Sequence, residues 1–390
     1  MNAPRSILFV GANLGGGGAE RALVNLVNHL DRDRFRPHLA LFQKQGAFLR
    51  AVAPDVPIHE LQPRPAGFLR RNWMRARALQ RVAREVRPAL VMSVLWQVNM
   101  VAIAADALFG LGCPLVVNEQ AALDRALEGT WRRHPFWPLA GRIYRRAARV
   151  VAASSGLAAE LRDRTGLPES HFHVIHNPIS IDDVRRSAAA AGRRLPADRP
   201  RLVAAGRLEP QKNYPLLLRA IRRVSRALPV RLFILGEGTE RAALAALIAG
   251  SGLASTVELV GFQENPHAWI AQADLFVLSS DFEGFGNVVA EALALGVPVV
   301  ATDCRHGPRE ILGGGAWGRL VPTDDEERLA EAILALLGDP VERRRLAEAG
   351  RARGDDFSIA RILPAYERLF LELIGDRGAP EPRHADEAAS

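Results

Sequence analysis

Two cysteines stand in 390 residues, Cys113 and Cys304. Two cannot make a disulfide framework, and they do not space like metal ligands, which fits a reducing cytosol. Long hydrophobic runs are missing as well. The N-terminus passes from a short polar lead into four apolar residues, 7–10. That is too short for a signal-peptide core or a membrane span, and no other stretch reads as one. No aspartate pair in the chain reads as a metal motif. The first glycine-rich loop, 11–18, lacks the Gly-x-Gly-x-x-Gly spacing of dinucleotide sites, and the second expected strand (38–42) ends in Gln43-Lys44 without the acid that grips an NAD ribose. These gaps exclude a secreted disulfide scaffold and argue against an NAD oxidoreductase.

Acids are scarce in the first half. The net charge of +8 comes from that half, and it makes nucleic acid, anionic lipid and anionic small substrates the candidate partners. Two segments concentrate it. One runs from Arg64 to Arg87, interleaving Phe68, Leu69, Trp73 and Met74 with arginines, and Glu85 is its only acid. The other runs from Arg125 to Arg149 with Trp131, Phe136, Trp137 and Tyr144. Each reads as a solvated helix face over core aromatics or as a surface for anionic lipid, with aromatics at headgroup level. No recognition module accompanies the charge, so nucleic acid is not expected as a partner.

The length suggests two domains of roughly 180 residues, and 48% hydrophobic residues allow each a core. Both halves open the same way. In the first, a strand at 7–10 leads into Gly11-Ala-Asn-Leu-Gly-Gly-Gly-Gly18 and a helix from Ala19. In the second, a strand at 202–205 leads into Gly206-Arg207-Leu-Glu-Pro-Gln-Lys212-Asn213 and a helix from about Tyr214. A strand, a glycine loop and a helix start make a place for phosphate. Arg207 offers a planar fork to phosphate oxygens and Lys212 a point charge. Between the halves, residues 182–200 read as a linker or edge segment.

The most informative stretch is 274–312. It reads as a strand (275–278), a polar turn, a helix opening near Gly286 and a strand (297–301). Val288, Val289, Ala292, Leu293 and Leu295 fall on one side of that helix. Glu283 and Glu291 flank its opening, eight residues apart. Gly284 and Gly286 permit close backbone approach, and the helix start offers unpaired N–H groups and a positive dipole end. Taken alone, the glutamates also suit an ordinary strand–helix–strand unit with a charged surface.

Glu283-Gly-Phe-Gly-Asn-Val-Val-Ala-Glu291 resembles the glutamate pair of retaining glycosyltransferases of family 4. The Arg207–Asn213 loop resembles their diphosphate-binding loop, and Gly-Gly-Ala-Glu20-Arg21 resembles their N-terminal glycine loop. The resemblance spans nearly the whole chain and is strongest over 203–312. It implies an α/β fold of the GT-B type, two facing Rossmann-like domains with a C-terminal helix crossing back to the first. The expected divisions are 1–180 for acceptor binding, 181–356 for the nucleotide-sugar, 357–374 for the crossover helix and a disordered tail at 375–390.

Residue by residue, the resemblance assigns Arg207 and Lys212 to the departing diphosphate, with backbone N–H groups near Asn287 and Val288. Glu283 positions the sugar and Glu291 holds the ribose. Gly16 and Gly17 close over the donor, and Gly206, Gly284, Phe285 and Gly286 line its site. The turns at Gly236 and at Gly261-Phe262 hold the base, largely through backbone groups. Arg21 and Glu119 face the acceptor. Many relatives carry a histidine where this chain has Glu119, which either orients the acceptor hydroxyl or caps the next helix. No covalent enzyme nucleophile, metal or cofactor is expected. The expected activity is transfer of a hexose or N-acetylhexosamine, most readily from a UDP-sugar, to a membrane-associated glycan or lipid-linked acceptor. The expected location is the cytoplasm, peripheral on the inner face of the membrane. The alternatives are a transferase for a small soluble acceptor and an inactive nucleotide-sugar-binding scaffold.

Overall fold

The computed structural model describes residues 3–61, 67–121, 137–190 and 193–375. Two parallel sheets organise it. The first holds β1 (Arg5–Gly11), β2 (Phe35–Leu41), β3 (Ile58–Glu60), β4 (Leu90–Val94), β5 (Leu115–Glu119), β6 (Arg149–Ala152) and β7 (Phe172–Val174), in the order β3-β2-β1-β4-β5-β6-β7. The second holds β8 (Arg201–Ala205), β9 (Arg231–Leu235), β10 (Val257–Gly261), β11 (Leu275–Leu278), β12 (Val299–Thr302) and β13 (Arg319–Val321), in the order β10-β9-β8-β11-β12-β13. The central strands are apolar on both faces because helices cover both. Ile7, Leu8, Phe9 and Val10 are all fully buried. In each sheet the strand order reverses, between β1 and β4 and between β8 and β11, and a crevice opens there beyond the carboxyl ends of the strands.

The helices follow from apolar spacing and capping. In Tyr214–Ala227, Leu217, Leu218, Ile221 and Val224 form the buried stripe, and the Asn213 side chain accepts from Leu216 N–H to start it. The helix Ile359–Leu373 lies on the first sheet. Ile362, Leu363, Tyr366, Leu369 and Phe370 join that sheet's core, and the Phe370 ring meets Phe9 and Phe35 edge-on at 6.0 and 6.1 Å. Burying one such ring contributes about 1.5–3 kcal/mol. A few buried side chains therefore anchor the C-terminal helix to the first domain.

The 182–200 segment differs from its reading as a linker. A helix, Ile181–Ala189, occupies its first half. Ile181 and Val184, one turn apart, are buried in the second domain's core, and Asp182 and Asp183 sit at the favourable end of its dipole. Of the second basic segment, residues 122–136 lie outside the described residues, as does the expected tail beyond Gly375. Among the described residues no helix is long and apolar enough to cross a membrane.

Candidate active site between the two domains

The turns after β8 and β11 lash together at the cleft. Asp281 N–H donates to Gln211 O at 2.9 Å and the Gln211 amide donates to Phe282 O at 2.9 Å. Asn213, at φ +42°, turns its amide to Asp281 at 2.7 Å. This brings Lys212 Nζ to 2.5 Å from Glu283 Oε1, which also accepts from Ser280 Oγ at 2.7 Å. Glu283 is 6% exposed, so the pair is largely shielded from water. Arg207 stays exposed beside it, with no ion-pair partner among the described residues. Gly236 lets the neighbouring turns pack, since a Cβ there would stand 2.0 Å from Gly206 O. Gly261, at φ +86°, ends β10, and Phe262 after it is exposed.

Gly286, at φ +96°, precedes the helix Asn287–Ala294. Glu291 lies one turn in and is buried. Burial pushes its carboxyl up, but the hydrogen bond from His267 and the charge of Arg21 outweigh that and hold it below the usual range. Arg21 comes from the first domain, its guanidinium 4.8 Å over the Phe48 ring. His267 had no role in the sequence reading. Nothing in its spacing from Glu291 links the two.

The domains meet through short polar side chains. Asn287 Nδ2 donates to Gly18 O at 2.9 Å, directly after the Gly16-Gly17 pair, and Asn177 Nδ2 donates to Asn287 Oδ1 at 2.9 Å. Ser154 Oγ donates to Gly284 O at 2.8 Å. Gln120 exchanges two amide bonds with Asn177, each 2.8 Å. Ser155 gives both its N–H and its hydroxyl to Glu310 Oε2, at 2.8 and 2.7 Å. His176 contacts the other Glu310 oxygen at 2.5 Å, and His306 contacts Glu160 at 2.8 Å. Burial pushes the Glu160 and Glu310 carboxyls up, yet these histidine bonds and their other partners leave both lowered. Beside this contact lies a cavity of about 850 Å³, bounded by Ser155, Glu160 and Arg164 on one side and Cys304, His306 and Glu310 on the other. Its volume is in the range of small-molecule sites.

Two assignments change. The Phe285 side chain does not line the donor site. It is 2% exposed and packs between His176 and Phe357, with ring centroids at 5.3 and 5.2 Å. Glu119 is turned inward rather than toward an acceptor, and the stretch that would hold the next helix, 122–136, lies outside the described residues. Glu119 is 1% exposed, and its Oε1 accepts from Asn99 Nδ2 at 2.9 Å and from Tyr144 OH at 2.5 Å. Burial pushes its carboxyl up to about 7, with the Tyr144 and Asn99 hydrogen bonds offsetting only part of that.

Two facing Rossmann-like domains, with a phosphate-suited loop and a glutamate pair at their crevice, define a GT-B glycosyltransferase. Known sequences agree on both halves: the profile of Glycosyltransferase Family 4 matches residues 16–183 and that of Glycosyl transferases group 1 matches 199–339. The chain belongs to the group 1, family 4 glycosyltransferases. Among its relatives is the N-acetylgalactosamine-N,N'-diacetylbacillosaminyl-diphospho-undecaprenol 4-alpha-N-acetylgalactosaminyltransferase of Campylobacter jejuni. It is 28% identical over 361 residues, covering 90% of this chain and 95% of that one. The lipopolysaccharide core biosynthesis glycosyltransferase LpsE of Rhizobium meliloti is also 28% identical, over 91% of this chain and 96% of its own. The fold matches Anabaena Alr3699/HepE in complex with UDP-glucose, with a TM-score of 0.78 at 22% identity over 95% of this chain and 100% of that one.

Proposed function

We propose that this protein is a retaining, metal-independent transferase. It moves a hexose or N-acetylhexosamine from a UDP-sugar to a hydroxyl of a lipid-linked or membrane-associated glycan, in cell-surface polysaccharide or glycolipid synthesis. The observation that carries the reading is the shielded Lys212–Glu283 pair, set beside exposed Arg207 and the start of the helix Asn287–Ala294. Arg207, Lys212 and the first N–H groups of that helix take the charge that builds on the departing diphosphate, a large electrostatic term in transfer reactions. Glu283 accepts from sugar hydroxyls and fixes the ring, and Glu291 accepts from the ribose. The acceptor oxygen bonds to the anomeric carbon on the face the diphosphate leaves. The bond from that carbon to the phosphate oxygen breaks, and a leaving oxygen takes the acceptor proton. The two cations do the charge work a metal would otherwise do.

The relatives' names support a lipid-linked acceptor, since the Campylobacter jejuni enzyme acts on a diphospho-undecaprenol-linked sugar. One surface favours the same reading. The helix Phe68–Val86 exposes Phe68, Leu69 and Trp73 at its start, and Leu108 is exposed as well. Arg71 lies 6.0 Å from the Phe68 ring and Arg77 lies 5.6 Å from the Trp73 ring. Apolar side chains edged by arginine suit the headgroup level of an anionic membrane, which supports a location on the inner face of the cytoplasmic membrane.

Thermal unfolding with UDP, GDP, ADP and NAD at matched concentrations tests the donor. A ligand at about 100 times its Kd adds about 2.7 kcal/mol, which raises Tm by several degrees. UDP alone is expected to do this. GDP or ADP in its place changes the donor, and a shift with NAD alone ends the reading. Flotation with phosphatidylglycerol-containing vesicles tests the acceptor side. The wild type is expected to float and a Leu69→Ser, Trp73→Ser double variant to stay behind. A wild type that stays behind favours a small soluble acceptor.

A further inference from the structure

Three residues from three elements meet behind the donor site. Ser187 stands on the helix Ile181–Ala189, just past the crossing between domains. His267 opens the short helix His267–Ile270, on the turn that follows β10 and Phe262. Glu291 lies in the helix Asn287–Ala294. Ser187 Oγ is 2.7 Å from His267 Nδ1, and His267 Nε2 is 3.3 Å from Glu291 Oε2. A second bond fixes the same turn to the same helix, Asn265 Nδ2 donating to Ser187 O at 2.7 Å. His267 and Glu291 are each 5% exposed.

A carboxylate only accepts, so Nε2 carries the proton it gives to Glu291, while Nδ1 meets the Ser187 hydroxyl, which also lies 3.0 Å from Val184 O. One carboxylate oxygen of Glu291 is thereby tied from behind. The other, Oε1, makes no hydrogen bond among the described residues. Buried side chains held by a second layer of hydrogen bonds keep a single geometry, and that geometry is what a bidentate contact to two vicinal hydroxyls requires.

We infer that His267, held by Ser187, is a positioning residue that aims Glu291 at the ribose diol and so sets the preference for ribonucleotide over deoxyribonucleotide donors. This rests on the reading that Glu291 holds the ribose. The arrangement also gives the helix at the domain crossing a direct hold on the donor pocket.

The test is calorimetric binding of UDP and of 2′,3′-dideoxy-UDP to the full-length protein, as wild type, His267→Phe, His267→Gln and Ser187→Ala. If unfolding with nucleotides selects another base, the matching pair is used. The wild type is expected to prefer UDP. His267→Phe is expected to weaken UDP about tenfold, the scale of one hydrogen bond to a charged group, and to leave dideoxy-UDP unchanged. Glutamine, whose amide N–H reaches the same place, is expected to restore most of the preference. Ser187→Ala, which leaves His267 in place but loosens it, is expected to remove about threefold. A preference for UDP that survives in His267→Phe and Ser187→Ala overturns the inference alone. So does equal weakening of both nucleotides, which marks a purely structural role. A wild type that does not distinguish the two nucleotides overturns the ribose reading beneath it.

Discussion

Glu283 follows β11 in the second domain and Glu119 ends β5 in the first, so each domain sets a buried glutamate at the carboxyl edge of its sheet. Their surroundings are opposite. Glu283 faces an ammonium, Lys212, and a hydroxyl. Among the described residues Glu119 faces only an amide and a phenol, and its second oxygen has no partner there. With no cation to offset the loss of water, burial drives the Glu119 carboxyl up to about 7. The same split runs through the donor side of the cleft, apart from Arg21, whose charge the first domain sets near Glu291. The second domain contributes charge, through Arg207, Lys212, Glu283 and Glu291. The first contributes mainly glycine, amide and hydroxyl groups: Gly16 to Gly18, Gln120, Asn177, Ser154 and Ser155. A buried acid is therefore a candidate for chemistry only once its partners are known.

The largest effect should come from breaking the charged half. Lys212→Ala removes the cation and leaves Glu283 buried without it. We expect transfer to fall about 10²- to 10³-fold, the loss of about 2.7–4 kcal/mol of charge stabilisation, measured as kcat with saturating donor. Survival within about threefold would dismiss Lys212 as the group that meets the leaving diphosphate.

The uncharged half should respond in stability rather than turnover. An acid whose folded-state pKa lies above its unfolded one adds stability below the unfolded value and loses it as pH rises through the folded value. For Glu119 that window runs from about 4.5 to about 7. Across it the wild type should lose about 3 kcal/mol through this group, with no discount for solvent because the group is buried. Glu119→Gln has no proton to lose. Urea unfolding at pH 5 and pH 8 should show the wild type falling by about that much more than the variant. Parallel pH dependences would mean that Glu119 is charged in the fold, and the contrast with Glu283 would collapse.

The same contrast explains what could be read from the chain beforehand. The strands expected at 7–10 and 275–278 fall where the apolar runs place them, because parallel strands covered on both sides admit little else. The second domain's charged cluster could be expected because Arg207, Lys212, Glu283 and Glu291 fall in stretches that resemble family 4 motifs, and the fold does bring Lys212 and Glu283 together. The first domain's contribution could not. Asn177, Gln120, Ser154 and Ser155 are the residue types that fill any turn, and only the facing domain reveals what they bind. The burial of Glu119 could not be read beforehand because Tyr144, which donates to its carboxylate, comes from a helix 25 residues on. The helix Ile181–Ala189 was hidden because its stretch was read as one with the prolines at 196 and 200, although its alanines and arginines favour helix and Ile181 and Val184 mark a buried face. His267 and Ser187 meet across 80 residues of chain with no local signal at all.

Gly284 is where the two halves touch, and substituting it should separate them with the smallest change in turnover. A Cβ there would sit 1.7 Å from Gln120 O, backbone against backbone across the domain boundary. Nothing at that point is the flexible end of a side chain, so Gly284→Ala can be relieved only by moving the domains apart or shifting a strand end. Overpacking of this kind costs about 1–3 kcal/mol, here charged to the closed arrangement alone. The open arrangement, with the second domain's nucleotide pocket intact, bears none of it. Transfer should therefore fall about tenfold while calorimetric affinity for the nucleoside diphosphate stays within about twofold, and X-ray scattering should report a larger radius of gyration. If affinity falls along with turnover, the first domain does more than close over the donor. The division of labour between a charged half and an uncharged one would then have to be redrawn, with Gly16 to Gly18 counted among the groups that bind.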